Sequence, residues 1–371
     1  MRFKYNFHEG ACVEYVGEPT DPPVRIQFIN TDTDIVVYES VLTPNMWSRT
    51  NAQHFVKWRI VVTSLEGAIL WEHNLDLLGK RVIIVYPYTT YGDFLYWMPI
   101  YERFRTKHGC HLIVQCSQQH YINSVCRSYP HIFFTTGRTT LINESIYAIY
   151  EPMLQTYDRI FWDGKYPRTS ALQQAISTCL GLKHTPLSLL IDCDDERPNI
   201  EGKYVCVTEH GQSNPLKNWL YPEGYQIVAN FLIEKGYKIV PISLEPTNLR
   251  GECIIDKTGL SLTEMTRYIK HAECLIGSST GPIWVGVATK TPTICILTNT
   301  PMDTNFPVHY VYNHTEGTCF GCYIWRKQED GPCDKKQKPE WAPNWIEVPE
   351  CSLNITPDMV IEKVKEVLKI Q

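Results

Sequence analysis

Residues 277–286, reading Gly-Ser-Ser-Thr-Gly-Pro-Ile-Trp-Val-Gly, restrict the possible folds of this chain more than any other stretch. A short apolar run, Glu273-Cys274-Leu275-Ile276, leads into three small hydroxyl residues, and a second apolar run of helical character, residues 283–288, follows at once. The order reads strand, tight turn, helix. Such a turn aims backbone N–H groups and the positive end of a helix dipole at an anion, while Gly281 permits close approach and Pro282 suits the first helical turn. A diphosphate is the natural tenant, which makes Ser278, Ser279, Thr280 and Gly281 candidate ligand contacts. The plainer reading is a Ser/Thr cap on a buried helix. Ten residues do not separate the two, so the context must.

The same order recurs along the chain. Residues 80–86 (Lys-Arg-Val-Ile-Ile-Val-Tyr) form a continuous apolar strand suited to a parallel sheet, and Tyr91-Gly92-Asp93 then opens a helical run through Leu95, Met98, Ile100 and Phe104. Strand and helix patterns alternate through 110–116, 118–129, 132–135 and 170–180, the signature of a doubly wound α/β unit. The acidic stretch 192–199 reads as a linker. A second unit follows, with a strand at 203–208, a helix at 225–235 stopped by Gly236, a strand at 237–241, a helix at 261–271, the strand-turn-helix above and a strand at 293–297. Upstream, residues 1–75 alternate in the strand manner, with turn signals at Asn30-Thr31-Asp32 and Glu66-Gly67. The expected layout is therefore a β-domain over 1–75, α/β domains over 76–198 and 199–312, an aperiodic segment over 313–352 and a helical tail over 353–371. The terminal helix, 357–370, is expected to pack back across the junction. No internal repeat is found.

Composition narrows the classes. In 371 residues, 43% hydrophobic and 20% charged residues are ordinary for a globular protein with a sizeable core. The net charge is −5 and the basic residues form no long run, which argues against a nucleic-acid partner. The first eight residues lack the apolar core of a signal peptide, and no window offers 18 uncharged apolar residues. A cytoplasmic protein without a membrane span is expected. Most of the 14 cysteines lie singly in apolar runs, as reduced core residues do.

Two loops carry candidate chemistry. Asp93, with Thr90 and Gly92 beside it, sits at the carboxyl end of a parallel strand, where it faces the crevice and is placed to take a proton from an attacking hydroxyl. The alternative is a helix N-cap. Residues 208–219 follow the first strand of the second unit and contain His210, Lys217 and Trp219. A lysine there would set a fixed ammonium against a phosphate leaving group. The alternative is a surface loop with an incidental lysine.

Two α/β domains around a crevice resemble the GT-B glycosyltransferase architecture, with two Rossmann-like domains. Gly92-Asp93, the loop ending in Lys217 and Trp219, and Thr280-Gly281, in this order, resemble the family 9 glycosyltransferases. The resemblance implies a catalytic base at Asp93, a donor-phosphate contact at Lys217 and nucleotide-diphosphate binding at residues 280–281. The chain departs from that pattern where Ser279 stands for the family's Asp and Trp284 lies beyond in place of its His.

Past the second unit, Cys319-x2-Cys322-x10-Cys333-x17-Cys351 places a Cys-x-x-Cys knuckle and two later thiols in a segment rich in Gly, Pro, Lys and Trp. Four thiolates suit a closed tetrahedral site for zinc or a single iron, and spacing does not choose between the metals. Such a finger has a structural or assembly role. Idle thiols or disulfides are the alternative. A GT-B chain with an N-terminal β-domain and this finger is similar to the bacterial autotransporter heptosyltransferases. That likeness, which includes the opening Phe7-His8-Glu9-Gly10-Ala11-Cys12-Val13-Glu14, spans nearly the whole chain. It implies ADP-heptose as donor, serine hydroxyls of an autotransporter adhesin passenger as acceptors, inversion at the anomeric carbon, iron in the finger, and a homo-oligomer of the ring-like dodecameric kind.

Asp192-Cys193-Asp194 matches the DxD metal motif of a different glycosyltransferase architecture, GT-A, but falls in the linker and reads as solvated acid. The rival functions are a family 9 enzyme acting on lipopolysaccharide or another sugar acceptor, and a non-catalytic assembly protein that keeps the fold.

Overall fold

The computed structural model describes residues 1–137, 145–153, 160, 172–211, 217–300, 306–313, 336–337 and 348–371. Seven strands precede the first α/β unit: β1 (Arg2–His8), β2 (Cys12–Val16), β3 (Val24–Asn30), β4 (Ile35–Leu42), β5 (Met46–Arg49), β6 (Trp58–Thr63) and β7 (Ile69–Asn74). The first α/β unit supplies β8 (Arg81–Val85), α1 (Tyr91–His108), β9 (His111–Gln115), α2 (Gln119–Asn123), β10 (Phe133–Thr135), β11 (Ile146–Tyr150) and α3 (Leu172–Cys179). The second supplies β12 (Tyr204–Thr208), α4 (Gly224–Glu234), β13 (Lys238–Pro241), α5 (Leu262–Lys270), β14 (Cys274–Ser278), α6 (Gly281–Thr289), β15 (Thr293–Ile296) and β16 (Val308–Val311). Two helices end the chain, α7 (Glu350–Leu353) and α8 (Pro357–Leu368).

The N-terminal strands form as their alternation predicts, but the sheets ignore the break expected near residue 75. The first sheet runs β10-β9-β8-β11-β1-β2-β5. Strand β1 continues the parallel set by pairing β11 (Phe7 opposite Ala148) and then turns the sheet antiparallel through β2. Phe7, Val13 and Tyr15 are thereby buried in the same core as Val82, Ile84 and Phe94. Only β4-β3-β6-β7 form a sheet of their own. Pairing between strands some 140 residues apart leaves no local mark, because each strand's own pattern says only that one face is buried.

Strand order decides where ligands bind. In the first sheet the parallel order β10-β9-β8-β11 puts the reversal of winding between β8 and β11, and in the second sheet, β13-β12-β14-β15-β16, it falls between β12 and β14. The crevice of a doubly wound sheet opens at the carboxyl ends of these strands. The first half thus winds in the Rossmann order, whereas the second winds in the flavodoxin-like order. Asp93 follows β8, the 208–211 loop follows β12, and residues 278–281 follow β14.

Three local expectations change. The helix expected at 118–129 covers only Gln119–Asn123, because Asp192 takes the Arg127 and Ser128 amides at 2.7 Å each, and the Ser128 hydroxyl at 2.6 Å. Asp194 is not a free acid either: Arg267 grips it through two bonds of 2.6 and 2.7 Å, while the exposed Asp195 beside it pairs with Lys270. Donors from opposite halves occupy the two acids of the DxD match, which leaves no shared cation site there. Among the described residues helix α8 packs chiefly on α4, β15 and β16 of its own half rather than across the junction, with Val360 and Val364 fully buried beside Val205 and Leu232.

Candidate functional site

The two halves meet where the sequence placed its candidate residues. Helices α1 and α6 start close together, and Gly92 and Gly281 are the point of contact: a Cβ on Gly92 would lie 3.1 Å from the Gly281 Cα and 3.0 Å from the Trp284 ring. Gly281 was expected to clear space for a phosphate. A Cβ there would make only ordinary contacts, 3.5 Å from the Gly92 nitrogen, so the close approach of the halves requires glycine at 92 and not at 281. One turn further on, Tyr96, Trp284 and Phe306 close an aromatic triangle with centroids 4.6, 5.3 and 5.8 Å apart. Pairs in this range contribute about 0.5–1.5 kcal/mol each beyond the area they bury. Trp284 is thus a junction residue.

Asp93 is not the N-cap of α1. Thr90 holds that position, and Asp93 lies in the first turn, where its Oδ2 accepts the Thr90 hydroxyl at 2.6 Å. Burial raises the carboxyl above the ordinary aspartate range, opposed by the Thr90 hydrogen bond and by the charge of Lys217. Lys217 shows the converse: burial lowers its ammonium, and Asp93 opposes that. The two groups act on one another across the crevice, one from each half. A carboxylate with a raised pKa is the stronger base, and a half-buried ammonium is the stronger electrostatic partner for an anion.

The loop that carries Lys217 is held by buried hydrogen bonds. The Thr298 hydroxyl donates to the Lys217 carbonyl at 3.1 Å, the Trp219 amide donates to Ser278 Oγ at 3.0 Å, and the Leu220 amide donates to Ser352 Oγ at 2.6 Å. Two expected ligand contacts are used up here. Trp219 is 3% exposed, its indole N–H donates to the Ile355 carbonyl, and Gly224 lies against its ring. Ser278 is fully buried between the Trp219 amide and the Tyr225 hydroxyl. Both anchor the loop from inside the core, and an isolated motif gives no sign of that. His210 lies at the rim, its amide on Ser243 and its ring on Asn248.

The turn itself keeps its promise in part. Thr280 caps α6 without a side-chain cap bond, Pro282 is in the first turn, and that turn holds no acidic residue. Gly211 lies against the Thr280 methyl group, where a Cβ would approach to 2.5 Å. The Thr280 hydroxyl is buried with no hydrogen-bond partner among the described residues. A buried hydroxyl without a partner at a helix start, in the same half as the Lys217 ammonium, is an arrangement able to receive an anion. Ser279 is partly exposed on the same turn.

Of the cysteine quartet, Cys319, Cys322 and Cys333 lie outside the described residues. Cys351 is buried in α7, next to the Ser352 that holds the Lys217 loop. Among the described residues no cluster of three or more His, Cys, Asp or Glu is placed to hold a metal, and no helix is long and apolar enough to cross a membrane. A surface depression lined by Phe55, Lys57, Leu77 and His108 lies at the far end of α1, away from these residues.

No family model matches the chain. Among curated proteins it is 26% identical over 333 residues to the autotransporter heptosyltransferase BAHTCr of Citrobacter rodentium, covering 86% of this chain and 78% of that protein. It is 24% identical over 328 residues to BimC of Burkholderia thailandensis, described as an inactive autotransporter heptosyltransferase, covering 85% and 75%. TibC of Escherichia coli is 25% identical over 331 residues, covering 86% and 78%. The crystal structure of TibC, described as an iron-containing dodecameric glycosyltransferase, superposes with a TM-score of 0.78 over 99% of this chain and 96% of that one, at 22% identity. A second TibC structure, in complex with ADP-D-beta-D-heptose, superposes equally well. In sequence over most of its length the chain is similar to the autotransporter heptosyltransferases, and it shares the fold of TibC.

Proposed function

We propose that this protein is an inverting O-heptosyltransferase that moves heptose from ADP-heptose to serine hydroxyls of an autotransporter passenger. The observation that carries the reading is the meeting of Asp93 and Lys217 at the crevice, beside the Thr280-Gly281 turn. In this mechanism Asp93 takes the serine proton as the hydroxyl oxygen bonds to the anomeric carbon. The bond from that carbon to the β-phosphate oxygen breaks on the opposite face, and the electron pair leaves with ADP. The Lys217 ammonium and the amides that open α6 meet the charge that grows on the phosphate. Relatives named as heptosyltransferases, and a similar fold crystallised with ADP-heptose, support the donor and the class of reaction.

The same reading assigns one iron per chain to the thiolates of Cys319, Cys322, Cys333 and Cys351, with zinc as the alternative. The iron-containing TibC supports iron, and a buried Cys351 sulfur suits a closed site. The metal's part is to order the 313–352 segment, outside the reaction. A homo-oligomer, of the dodecameric form described for TibC, and a cytoplasmic location belong to the proposal.

A second reading is favoured by one specific observation, the equally extensive likeness to an inactive relative. In that case the chain binds without transferring. Intact-mass measurement of a passenger fragment co-expressed with this protein decides between them. A gain of one or more heptose masses, absent with Asp93→Asn, is the expected result. An unmodified passenger in cells that make ADP-heptose would leave only the binding role.

A further inference from the structure

The carboxyl edge of the second sheet is lined with polar groups, and most are satisfied within the protein. Ser243 Oγ accepts the Glu209 and His210 amides, Glu209 accepts from Thr247 and from the Asn248 amide, and Ser278 is held between Trp219 and Tyr225. Three buried atoms at this edge have no partner among the described residues: Thr280 Oγ1, Asn299 Oδ1 and Thr300 Oγ1. An unpaired buried polar group is costly, and native structures keep one where a ligand or water completes it.

Topology places the three together. Strands β14 and β15 are parallel neighbours whose last paired residues are Ser278 and Ile296, so the turn that opens α6 and the segment through residues 298–300 leave adjacent strands at the same edge. The Thr298 hydroxyl ties this second loop to the Lys217 carbonyl at 3.1 Å. The unpaired atoms therefore adjoin the region assigned to the diphosphate. Asn299 is only 5% exposed, so its side chain is not a surface amide turned to bulk water.

Their chemistry limits what completes them. A hydroxyl serves either phosphate or sugar, but an amide oxygen only accepts and so repels phosphate oxygens. None of the three side chains is charged. Together they fit a neutral unit with several hydroxyl groups next to a diphosphate. We propose that Asn299 and Thr300, with the Thr280 hydroxyl, form the subsite for the glycosyl unit of a nucleotide-sugar donor, Asn299 Oδ1 accepting a hydrogen bond from a sugar hydroxyl. This subsite rests on the donor reading given above and adds to it the residues that recognise the sugar.

The test compares two ligands that differ only by the sugar. Full-length protein is titrated calorimetrically with ADP and, separately, with ADP-heptose, as wild type and as Asn299→Leu and Thr300→Val, with thermal unfolding as a check on each variant. Both variants should bind ADP within about twofold of wild type and bind ADP-heptose about tenfold more weakly, as expected for one lost hydrogen bond to a ligand. Thr300→Val differs from threonine by one atom and reads the same question if Asn299→Leu fails to fold. Equal losses for ADP and ADP-heptose, or no loss for either, would overturn the subsite while leaving the donor reading in place. Wild-type protein that bound neither ligand would overturn the donor reading, and the subsite with it.

Discussion

Two helix starts face each other across this molecule, and they are finished in opposite ways. Helix α1 opens with Thr90 as cap and Asp93 in its first turn, so the positive end of its dipole meets a carboxylate from its own chain, fixed by the Thr90 hydroxyl. Helix α6 opens with the same residue type as cap and no acid in its first turn, and its Thr280 hydroxyl has no partner among the described residues. One start carries a carboxylate in its first turn and the other carries none. The glycine contact between residues 92 and 281 brings these unlike ends together. On the proposed mechanism the difference is a division of labour: the first half supplies a proton acceptor, and the second supplies an electropositive seat.

The strongest way to break this comparison is to remove the internal carboxylate. Asp93→Asn should lower turnover by about 10²-fold or more, the scale of general-base catalysis, with ADP affinity nearly unchanged. A transfer assay and calorimetry read the two effects separately. Equal loss of both would make Asp93 a helix-start residue and nothing more.

Separating the two helix starts comes next. Gly92→Val puts branched carbons where a Cβ already lies about 3 Å from Gly281 and Trp284. The halves must shift apart, and turnover should fall by about 10²-fold, the scale of a 1 Å misplacement of reacting groups. ADP, which the proposed site holds on the second half, should lose much less affinity. Full activity in this variant would show that the glycine contact does not set the geometry.

Lys217→Ala tests the electropositive side. It should weaken ADP binding by about tenfold and slow transfer further, because the charge on the leaving phosphate grows toward the transition state. The pH profile of kcat/KM sharpens the point. Asp93 acts deprotonated and its pKa is raised, so the acid limb should lie above the 3.8 of an ordinary aspartate. Lys217 acts protonated and its pKa is lowered, so the alkaline limb should lie below the ordinary 10.5. Lys217→Arg should push the alkaline limb outward, since a guanidinium keeps its proton. A profile with both limbs at the ordinary values would deny that the two groups share one buried crevice.

The smallest expected effect concerns the cysteine segment. Cys319→Ser or Cys351→Ser should remove the metal, about one ion per chain by elemental analysis, while the α/β halves still fold. Because Ser352 accepts the Leu220 amide, loss of order at Cys351 should also lower ADP affinity a few-fold through the Lys217 loop. Metal content unchanged in both variants would mean that the quartet was misread.

Much of this arrangement was legible from short stretches. The apolar runs at 80–86, 203–208 and 293–297 are strands, and Gly236, in the left-handed region at φ 84°, stops the helix before it as expected. The terminal helix was readable, but not the surface it packs on. The candidate loops do follow the strand ends, yet the motif could not tell which of their residues face outward. Trp219 and Ser278 look like ligand contacts in a list of neighbours and are core residues in space. Asn299 and Thr300 carried no signal at all, since nothing in the string Leu-Thr-Asn-Thr says that two of its polar atoms are buried without partners.

The sequence by itself determined what depends on near neighbours: which segments become strand or helix, which residues cap them, and the order of turns that ends in an acid, a lysine and a small-residue cradle. Periodicity and capping act within a turn or two, and such information lies in the string. The tertiary structure alone decided that β1 extends the sheet of the first α/β unit, that Gly92 meets Gly281, and that Asp93 and Lys217 share a crevice. Those contacts join residues more than a hundred positions apart. They arise from burial of apolar faces that many partners could satisfy, and only the assembled core selects among them.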